Sequence, residues 1–440
     1  MRPTNLPLSP WWMPFTSNRD FKANPRFITR AEGHYYWSDD DRKIYDSFSG
    51  LWTTGVGHCH PKIVEAVQKQ VAELDYAMTF QVGNPHAFDL ANRLTSLAPD
   101  GFEHAFFCNS GSEAADTSLK IALAYHRAKG DATRTRLVGR ARGYHGVNFG
   151  GISVGGMTAN RKAFSACLIP GVDHLPHTFN LSENAFSKGL PKWGAHLADE
   201  LENICALHDP SNIAAVIVEP AGGSTGILPP PVGYLKRLRD ICTKHGILLI
   251  FDEVITAFGR VGAAFAAERW GVVPDIITTA KGLTNGVIPM GAVITTGEIY
   301  DTICQGPPHL VELFHGYTYS GHPIAAAAGL ATLDVYEEEG SFEQALALES
   351  VFEEAIHSLA DHPKVIDIRN VGLMGAVELA PRDGAGGARG LDVHKHCFWN
   401  EDLIIRSGGD ILQFSPFLNS EPDDVYATFE KIRRAIDAVE

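Results

Sequence analysis

The stretch LLIFDEVITAFGRVGAAFAAERWGVVPDIITTAKGL, Leu248 to Leu283, contains two short runs of apolar and β-branched residues, LLIF and IITT. Neither run alternates with polar residues, and strands of that kind belong in a sheet that is covered on both faces. Four further runs of this type, separated by longer amphipathic stretches, occur elsewhere in the chain: HAFFC, TRLVG, NIAAVIV and GAVIT. The alternation predicts an α/β fold whose large domain has a mainly parallel, doubly wound sheet.

The regions before and after these runs have a different sequence pattern. A chain of 440 residues exceeds the size at which one hydrophobic core keeps growing, so we expect a large and a smaller domain. An amphipathic helix opens at Pro61, and an Ala-rich helix followed by an α+β pattern opens at Pro323. We therefore predict a large domain over 61–322, a small C-terminal domain over 323–440, and an N-terminal arm and hairpin over 1–60 that pack with the small domain.

Composition excludes several classes of function. A formal net charge of −15 disfavours binding to nucleic acid or an anionic membrane, because the summed field repels polyphosphate. No apolar run approaches the ~20 residues of a membrane span, and the N-terminus lacks a signal-peptide pattern, so we expect a cytoplasmic protein. Seven scattered cysteines without a CxxC pair indicate reduced packing thiols. Small molecules remain the expected partners.

Polar residues stand directly after the apolar runs of the large domain. NIAAVIV is followed by Glu219, LLIF by Asp252 and Glu253, and IITTA by Lys281. In an open α/β sheet ligands bind outside the carboxyl ends of the strands, so these acids and the lysine are expected to share one crevice. The alternative is that each is a solvated residue at the end of a strand.

The segment NSGSEA, Asn109 to Ala114, joins the HAFFC run to an amphipathic helix. Gly111 permits close approach of a ligand, and Ser110 and Ser112 add hydroxyl groups at a helix N-terminus, which attracts anions. Phosphate is the expected ligand of this turn. The alternative is that the serines only cap the helix. Because neither GxxxxGK[ST] nor a GxGxxG that opens a helix is present, the phosphate is expected to belong to a cofactor.

The stretch quoted first resembles the signature of class III aminotransferases that depend on pyridoxal 5'-phosphate (PLP). NSGSEA, GYHG (143–146), VEP (218–220) and HGYTYSGHP (315–323) stand in the family's order, so the resemblance covers nearly the whole chain. It implies PLP as the cofactor and the fold of the type I PLP-dependent transferases, with a seven-stranded sheet and a smaller α+β domain.

The resemblance also implies roles for individual residues. Lys281 would form the Schiff base with the cofactor and then carry a proton, a role that requires a neutral amine and hence a lowered pKa. Asp252 would keep the pyridine nitrogen protonated. Tyr144 and Val254 would lie against opposite faces of the ring, and His145 and Glu219 would lie beside the cofactor, with His145 bracing the Tyr144 loop.

The phosphate would be bound by the N-terminal segment of the helix in NSGSEA, that is by Ser110, Gly111 and Ser112. Thr318 matches a family residue that reaches the phosphate of the neighbouring subunit. The resemblance therefore implies a homodimer or a dimer of dimers, because each active site would need its neighbour.

Within the class, the chain resembles the ω-amino acid:pyruvate, or β-alanine:pyruvate, aminotransferases. The marks are SGLWTTGVGH (49–58), RARGYHGVN, AKGLTNGVIPMGAV and RSGGDILQFSP. Arg406 would bind the donor carboxylate, unless it forms a structural ion pair with Glu219. The apolar walls of the pocket, for which core packing is the alternative, would be Leu51, Trp52, Phe80 and Tyr144. The implied reaction moves an amino group from an ω-amino acid or amine to pyruvate, giving alanine and an aldehyde, oxo acid or ketone.

Two rival functions and one rival site stay open at this point. Another class III reaction, by an aminomutase, epimerase or decarboxylase, would use the same Lys281 and Asp252. A binding protein could keep the fold without the chemistry. His58, His60 and His145 invite a metal site, but no carboxylate or cysteine completes a ligand spacing, so we expect no metal.

Overall fold

The computed structural model describes residues 6–440. The strands, in chain order, are β1 Ile28–Glu32, β2 Tyr35–Ser38, β3 Lys43–Asp46, β4 Phe102–Cys108, β5 Arg136–Arg140, β6 Val172–Leu175, β7 Ile213–Val218, β8 Leu248–Asp252, β9 Ile276–Thr279, β10 Gly291–Thr296, β11 Val365–Val371, β12 Met374–Leu379, β13 Leu403–Ile404, β14 Arg406–Gly408 and β15 Ile411–Phe414.

Helices connect these strands. They are α1 Asn18–Ala23, α2 Ser49–Trp52, α3 Pro61–Glu73, α4 Pro85–Leu97, α5 Gly111–Lys129, α6 Phe149–Val154, α7 Thr158–Lys162, α8 Leu181–Asn184, α9 Glu200–His208, α10 Tyr234–His245, α11 Ala266–Trp270, α12 Gly297–Ile303, α13 Pro323–Glu338, α14 Ser341–His357, α15 Ala388–Asn400 and α16 Pro422–Ala438. Short 3-10 turns stand at Ser165–Cys167, Ala195–Asp199, Pro210–Asn212 and Lys281–Thr284.

The large sheet has seven strands in the order β4-β10-β9-β8-β7-β5-β6. Strands β9, β8, β7, β5 and β6 pair in parallel, and β10 pairs antiparallel with both β9 and β4. Because β10 alone reverses direction, β4 runs the same way as the parallel strands. The carboxyl ends of six strands therefore meet at one edge, which is where open α/β sheets bind ligands.

Burial explains why the central strands form. Every residue of β7, β8 and β9 is buried, as the uninterrupted apolar runs of the sequence predict. The predicted α/β fold, with a mainly parallel seven-stranded sheet, is confirmed. Strand β6 was not predicted, because VDHL lies at the edge of the sheet and only Leu175 is fully buried, so the segment lacks an apolar run.

Two four-stranded sheets flank the large one. The first has the order β1-β2-β3-β13 and contains the hairpin of β2 and β3, to which β13 from the C-terminal region adds in parallel. The second has the order β11-β12-β15-β14 and is covered by α14, α15 and α16. The proposed arm over 1–60 contains a short helix and a strand, while its first five residues lie outside the described residues. The domain limits stay a prediction.

Over the part of the chain that the structure describes, no helix combines the length and apolar character that crossing a bilayer would require. The cytoplasmic location stays a prediction.

Candidate active site

The carboxyl ends of β7, β8 and β9 bring the predicted residues to one crevice. Glu219 follows β7, Asp252 is the last residue of β8, and Lys281 stands two residues after β9. The backbone N–H of Glu253 donates to the carbonyl of Thr278, which fixes β8 and β9 in register at this edge. Two acids and an amine thus arrive together because their strands are parallel neighbours.

Lys281 has an unusual backbone and an unusual amine. Its φ of +49° lies in the left-handed region, which a residue other than glycine adopts only where its surroundings impose it. Burial lowers the pKa of Lys281 to about 8, with Arg406 lowering the pKa further and Asp252 and Glu219 opposing the shift. The charges of Asp252 and Glu219 thus act on this amine, and the direction of its pKa shift agrees with the sequence-based expectation.

Asp252 is nearly buried, and both of its oxygens accept hydrogen bonds. Oδ2 lies 2.7 Å from Nδ1 of His145, and Oδ1 accepts from the Val254 N–H and the Thr278 hydroxyl, each at 3.2 Å. Three donors stabilise the negative charge and fix the carboxylate plane. His145 thereby ties the Tyr144 loop to Asp252, and its Nε2 is buried without a partner in residues 6–440.

The carboxylate of Glu219 is hydrogen-bonded to the backbone. Its two carboxylate oxygens accept from the N–H of Tyr144 and of Gly223, both at 2.9 Å. Burial raises the pKa of Glu219. In the described chain these backbone donors engage both carboxylate oxygens, and no ion pair joins Glu219 to Arg406. Glu219 instead shapes the loop that carries Tyr144. The carboxylate-binding role of Arg406 stays a prediction.

The first turn of α5 forms a cradle of small residues. Ser110 caps the helix by accepting from the Glu113 N–H at 3.2 Å, so the capping role considered for it is present. A Cβ on Gly111 would lie 2.8 Å from Cγ1 of Val254, and a Cβ on Gly146 would lie 2.3 Å from the Ser112 hydroxyl oxygen. Glycine at both positions lets the Val254 and Tyr144 segments close around this turn.

Arg406 and Tyr144 stand at the side of the crevice. Burial lowers the pKa of Arg406 and raises the pKa of Tyr144, and each group opposes the other's shift, which indicates that they are close. The Arg406 Cζ lies 4.8 Å from the centre of the Trp52 ring, and Trp52 is buried. Among residues 6–440 no carboxylate forms an ion pair with Arg406, whose neighbours are the Phe48 and Trp52 rings and Tyr144. Its donor edges are therefore free for a ligand.

Three predicted residues are exposed instead of enclosed. Leu51 is 50% exposed and Phe80 is 58% exposed. Phe80 packs near Gly316, two residues before the exposed Thr318, whose carbonyl accepts from the Tyr76 hydroxyl at 3.0 Å. Phe80 and Thr318 therefore share one exposed surface of the chain. Their roles at the site stay predictions.

The two other histidines considered as metal ligands, His58 and His60, each have a carboxylate partner. His58 Nε2 lies 2.8 Å from Asp46, and His60 Nε2 lies 3.0 Å from Glu339. Among the residues that the structure describes, no cluster of histidine, cysteine, aspartate or glutamate could hold a metal ion.

Sequence reasoning missed several residues that support the site. Thr278 and Gly223 bond directly to Asp252 and Glu219, and Gly146 admits Ser112. Thr278 was within an apolar strand and Gly223 in a Gly-rich turn, so neither gave a distinguishing local signal. Gly146, the second glycine of GYHG, was visible in the sequence, but its contact with Ser112 was not.

The residues present fit a PLP cofactor. The first-turn N–H groups of α5 lack partners within the helix and suit a phosphate. Asp252 offers a fixed carboxylate to a protonated ring nitrogen, and Lys281 offers an amine with a lowered pKa to an aldehyde. The close approach of Val254 to Gly111 further supports the fit, because it brings an apolar side chain next to the turn that suits the phosphate.

Comparisons with known proteins agree with this geometry. The sequence profile of the family described as Aminotransferase class-III matches residues 16–436. The chain is 58% identical over 433 residues to an omega-aminotransferase of Caulobacter vibrioides, with 98% of each chain covered. It is 50% identical to a beta-alanine–pyruvate aminotransferase of Pseudomonas aeruginosa, covering 99% of this chain and 97% of that one. A solved omega transaminase from Pseudomonas jessenii in complex with PMP superposes with a TM-score of 0.92 at 31% identity, covering 98% and 96% of the two chains.

Proposed function

The chain belongs to the class III aminotransferase family, and we propose that it moves the amino group of an ω-amino acid or amine to pyruvate with PLP as its cofactor. The products are alanine and an aldehyde, oxo acid or ketone. The observation that carries the proposal is that Asp252 and Lys281 lie at the carboxyl ends of the neighbouring parallel strands β8 and β9. Relatives over nearly the whole chain bear the names of aminotransferases, which favours amino transfer over the other class III reactions.

Residues of four segments would hold the cofactor. Gly111 and Ser112 would bind the phosphate with N–H groups and a hydroxyl, with Ser110 completing the turn. Asp252 would bind the ring nitrogen, and Val254 and Tyr144 would contact the ring faces. Bound PLP would supply an electron-withdrawing ring that makes the hydrogen on the amino-bearing carbon of the donor acidic.

Lys281 would move the proton. A general base works best when its pKa lies near the working pH, and about 8 meets that condition. Its Nζ would accept the proton from the donor carbon and release it again within the crevice. The left-handed backbone of Lys281 stands at the first residue of the 3-10 turn Lys281–Thr284, which would hold the lysine at the end of β9.

Arg406 would select the donor. Its planar fork stacks over Trp52 and its donor edges are free, which suits two parallel hydrogen bonds to a carboxylate. Apolar walls of Trp52 and Tyr144 would in addition accept the hydrophobic part of an amine that lacks a carboxylate. The pocket therefore favours β-alanine-like donors and tolerates hydrophobic amines.

A neighbouring copy of the chain would complete each site. Thr318 and Phe80 share an exposed surface, which supports their action on a second subunit rather than on Lys281 of their own chain. Leu51 is half exposed, and we propose that it lines the substrate pocket of the assembled site. A homodimer or a dimer of dimers is the assembly that we propose.

A donor panel tests the function. We expect alanine to form from pyruvate with matching loss of β-alanine and, more slowly, of 1-phenylethylamine. Absorbance of bound PLP should be followed in the same samples. Absence of turnover with every ω-amino acid and amine would reject the proposal, while consumption of the donor without alanine would indicate one of the other class III reactions.

Replacing Arg406 with leucine should separate the two kinds of donor. Hydrogen bonds to charged groups contribute about 1.5–3 kcal/mol, so we expect KM for β-alanine to rise about 10- to 100-fold. The KM for 1-phenylethylamine should change little or fall. Steady-state kinetics with both donors measure the split, and an equal loss for both would contradict a carboxylate-binding role.

The pKa of Lys281 predicts how the apoprotein takes up PLP. Only the neutral amine attacks an aldehyde, so the rate of covalent uptake should rise about tenfold per pH unit up to about 8 and then level off. Stopped-flow absorbance after mixing apoprotein with PLP between pH 6 and 9.5 gives the profile. A rate that still rises about tenfold per pH unit at pH 9.5, as the ordinary lysine pKa of 10.5 requires, would show that burial does not act on this amine.

A further inference from the structure

The segment Ser47–Thr54, here called the Trp52 loop, has a backbone that few residues adopt. Ser49 has φ +39° and Trp52 has φ +58°, both in the left-handed region, and Gly50 has φ +71° and ψ −100°. Left-handed backbone at a bulky residue such as tryptophan is rare and persists only where surrounding contacts impose it. Something in the fold must therefore hold this loop.

Asp46 holds the loop from one side. It is the last residue of β3, and its side chain is completely buried. Its Oδ1 accepts from the Phe48 N–H at 3.0 Å, and its Oδ2 accepts from the Gly50 N–H at 2.6 Å. Oδ2 also lies 2.8 Å from Nε2 of the buried His58. Both carboxylate oxygens are thus engaged, and each one fixes a backbone group of the loop.

Arg260 holds the same loop from another side. Its guanidinium is buried and donates to the Ser49 hydroxyl oxygen at 3.0 Å and to the Pro416 carbonyl at 2.6 Å. The Ser49 hydroxyl in turn donates to the Ser415 carbonyl at 3.0 Å. Two buried charges of opposite sign therefore clamp the loop where its backbone is least favourable.

The clamped loop presents Trp52 to the substrate side. The Trp52 ring lies 4.4 Å from the Phe48 ring and 4.8 Å from the Arg406 Cζ. A guanidinium that lies over an aromatic ring is held there by cation–π attraction while its N–H groups stay available as donors. Within residues 6–440 no carboxylate forms an ion pair with Arg406, so the Trp52 ring is a principal contact that orients it.

We propose that Asp46 is a specificity-determining positioning residue, which keeps the Arg406 fork aligned for a donor carboxylate by holding the Trp52 loop. The inference rests on the proposed role of Arg406 as the carboxylate-binding group. Asp46 itself lies behind the loop and acts through Trp52, so its loss weakens the binding of a donor carboxylate more than it weakens the apolar contact of Trp52 with other donors.

Asp46→Asn is the main test variant, because it keeps the shape and removes one acceptor and the charge. We expect kcat/KM for β-alanine to fall about tenfold, mostly through KM, and the value for 1-phenylethylamine, which loses only part of its contact with Trp52, to fall about threefold at most. The equilibrium dissociation constant of propionate, which has the carboxylate but no amine, should rise about tenfold by calorimetry. Propionate binding does not depend on turnover, so it tests the inference even if amino transfer fails.

Two companion variants separate positioning from general stability. Asp275→Asn is the matched control: Asp275 also accepts from a backbone N–H, that of Leu249, and pairs with a cation, Arg239, but does not contact the Trp52 loop. It should lower the melting temperature and leave the donor ratio unchanged. In a Trp52→Ala background, Asp46→Asn should not change the ratio further, because the path from Asp46 to Arg406 is already broken.

If Asp46→Asn does not fold, Gly50→Ala attacks the same loop, since its Cβ would lie 2.5 Å from the Thr53 hydroxyl oxygen. The same shift in donor ratio is expected. An equal loss for both donors, an unchanged affinity for propionate, or full additivity with Trp52→Ala would overturn the proposal. Failure of the unaltered protein to transfer amino groups, with the propionate effect intact, would instead count against the proposed function.

Discussion

Replacing Lys281 with alanine is expected to lower the rate of amino transfer by about four orders of magnitude or more. The substitution removes both the amine that binds the cofactor covalently and the base that moves the proton. The two roles fall on one atom, so no other residue of the crevice can supply either one: the nearest charges are Asp252, Glu219 and Arg406. Alanine formation from pyruvate and the visible absorbance of the protein with PLP measure the two losses independently.

The fold should survive this change. Alanine removes a buried amine and relieves its desolvation, so the melting temperature of the apoprotein should not fall by more than a few degrees. Lys236→Ala, which removes an exposed lysine paired with Asp240, is the control and should keep full activity. Retention of more than about one percent of the rate in Lys281→Ala would place the reactive amine elsewhere.

Asp252→Asn is expected to lower the rate about 10²- to 10³-fold. Removing one partner of a buried charge pair costs about 3–5 kcal/mol, and the neutral amide no longer holds a proton on a ring nitrogen. The loss should appear in kcat with both classes of donor, because the carboxylate acts on the cofactor and not on the donor. Affinity for PLP should fall as well, and titration of the apoprotein with the cofactor measures it.

The matched control for this variant is Asp275→Asn. Asp275 stands just before β9, at the opposite edge of the sheet, where it pairs with Arg239 at 2.7 Å and accepts from the Leu249 N–H at 2.6 Å. We expect this change to lower stability and to leave kcat unaltered. If both variants lost the same fraction of activity, the effect of Asp252→Asn would reflect a weakened sheet and not the ring nitrogen.

The large sheet was accessible from the sequence because its central strands are buried on both faces. Each of β7, β8 and β9 therefore lacks the polar residues that would obscure a strand. At the edge of the sheet, β6 combines Asp173 and His174 with two apolar residues. It therefore lacks the continuous apolar run that predicts a buried strand. The short helix and strand ahead of the hairpin escaped notice for the same reason, since α1 has no buried residue.

The site divides along a similar line. Asp252 and Lys281 could be predicted, because strand direction alone carries them to a common edge. The contact of His145 with Asp252 joins residues 107 positions apart and depends on how the Tyr144 loop folds back, which no local pattern encodes. Asp46 and Arg260 were missed entirely, since a buried acid and a buried arginine look in sequence like ordinary surface charges.

The left-handed backbone of Lys281 lowers the stability of the fold at the same residue whose amine is needed for the reaction. A side chain in that conformation costs about 1 kcal/mol or more, a penalty that glycine avoids. Laboratory evolution scored on melting temperature alone would therefore reward glycine at this position and discard the reactive amine along with the strain. A thermostable descendant of this chain has to gain its stability elsewhere, in loops and surfaces that leave this one unfavourable torsion untouched.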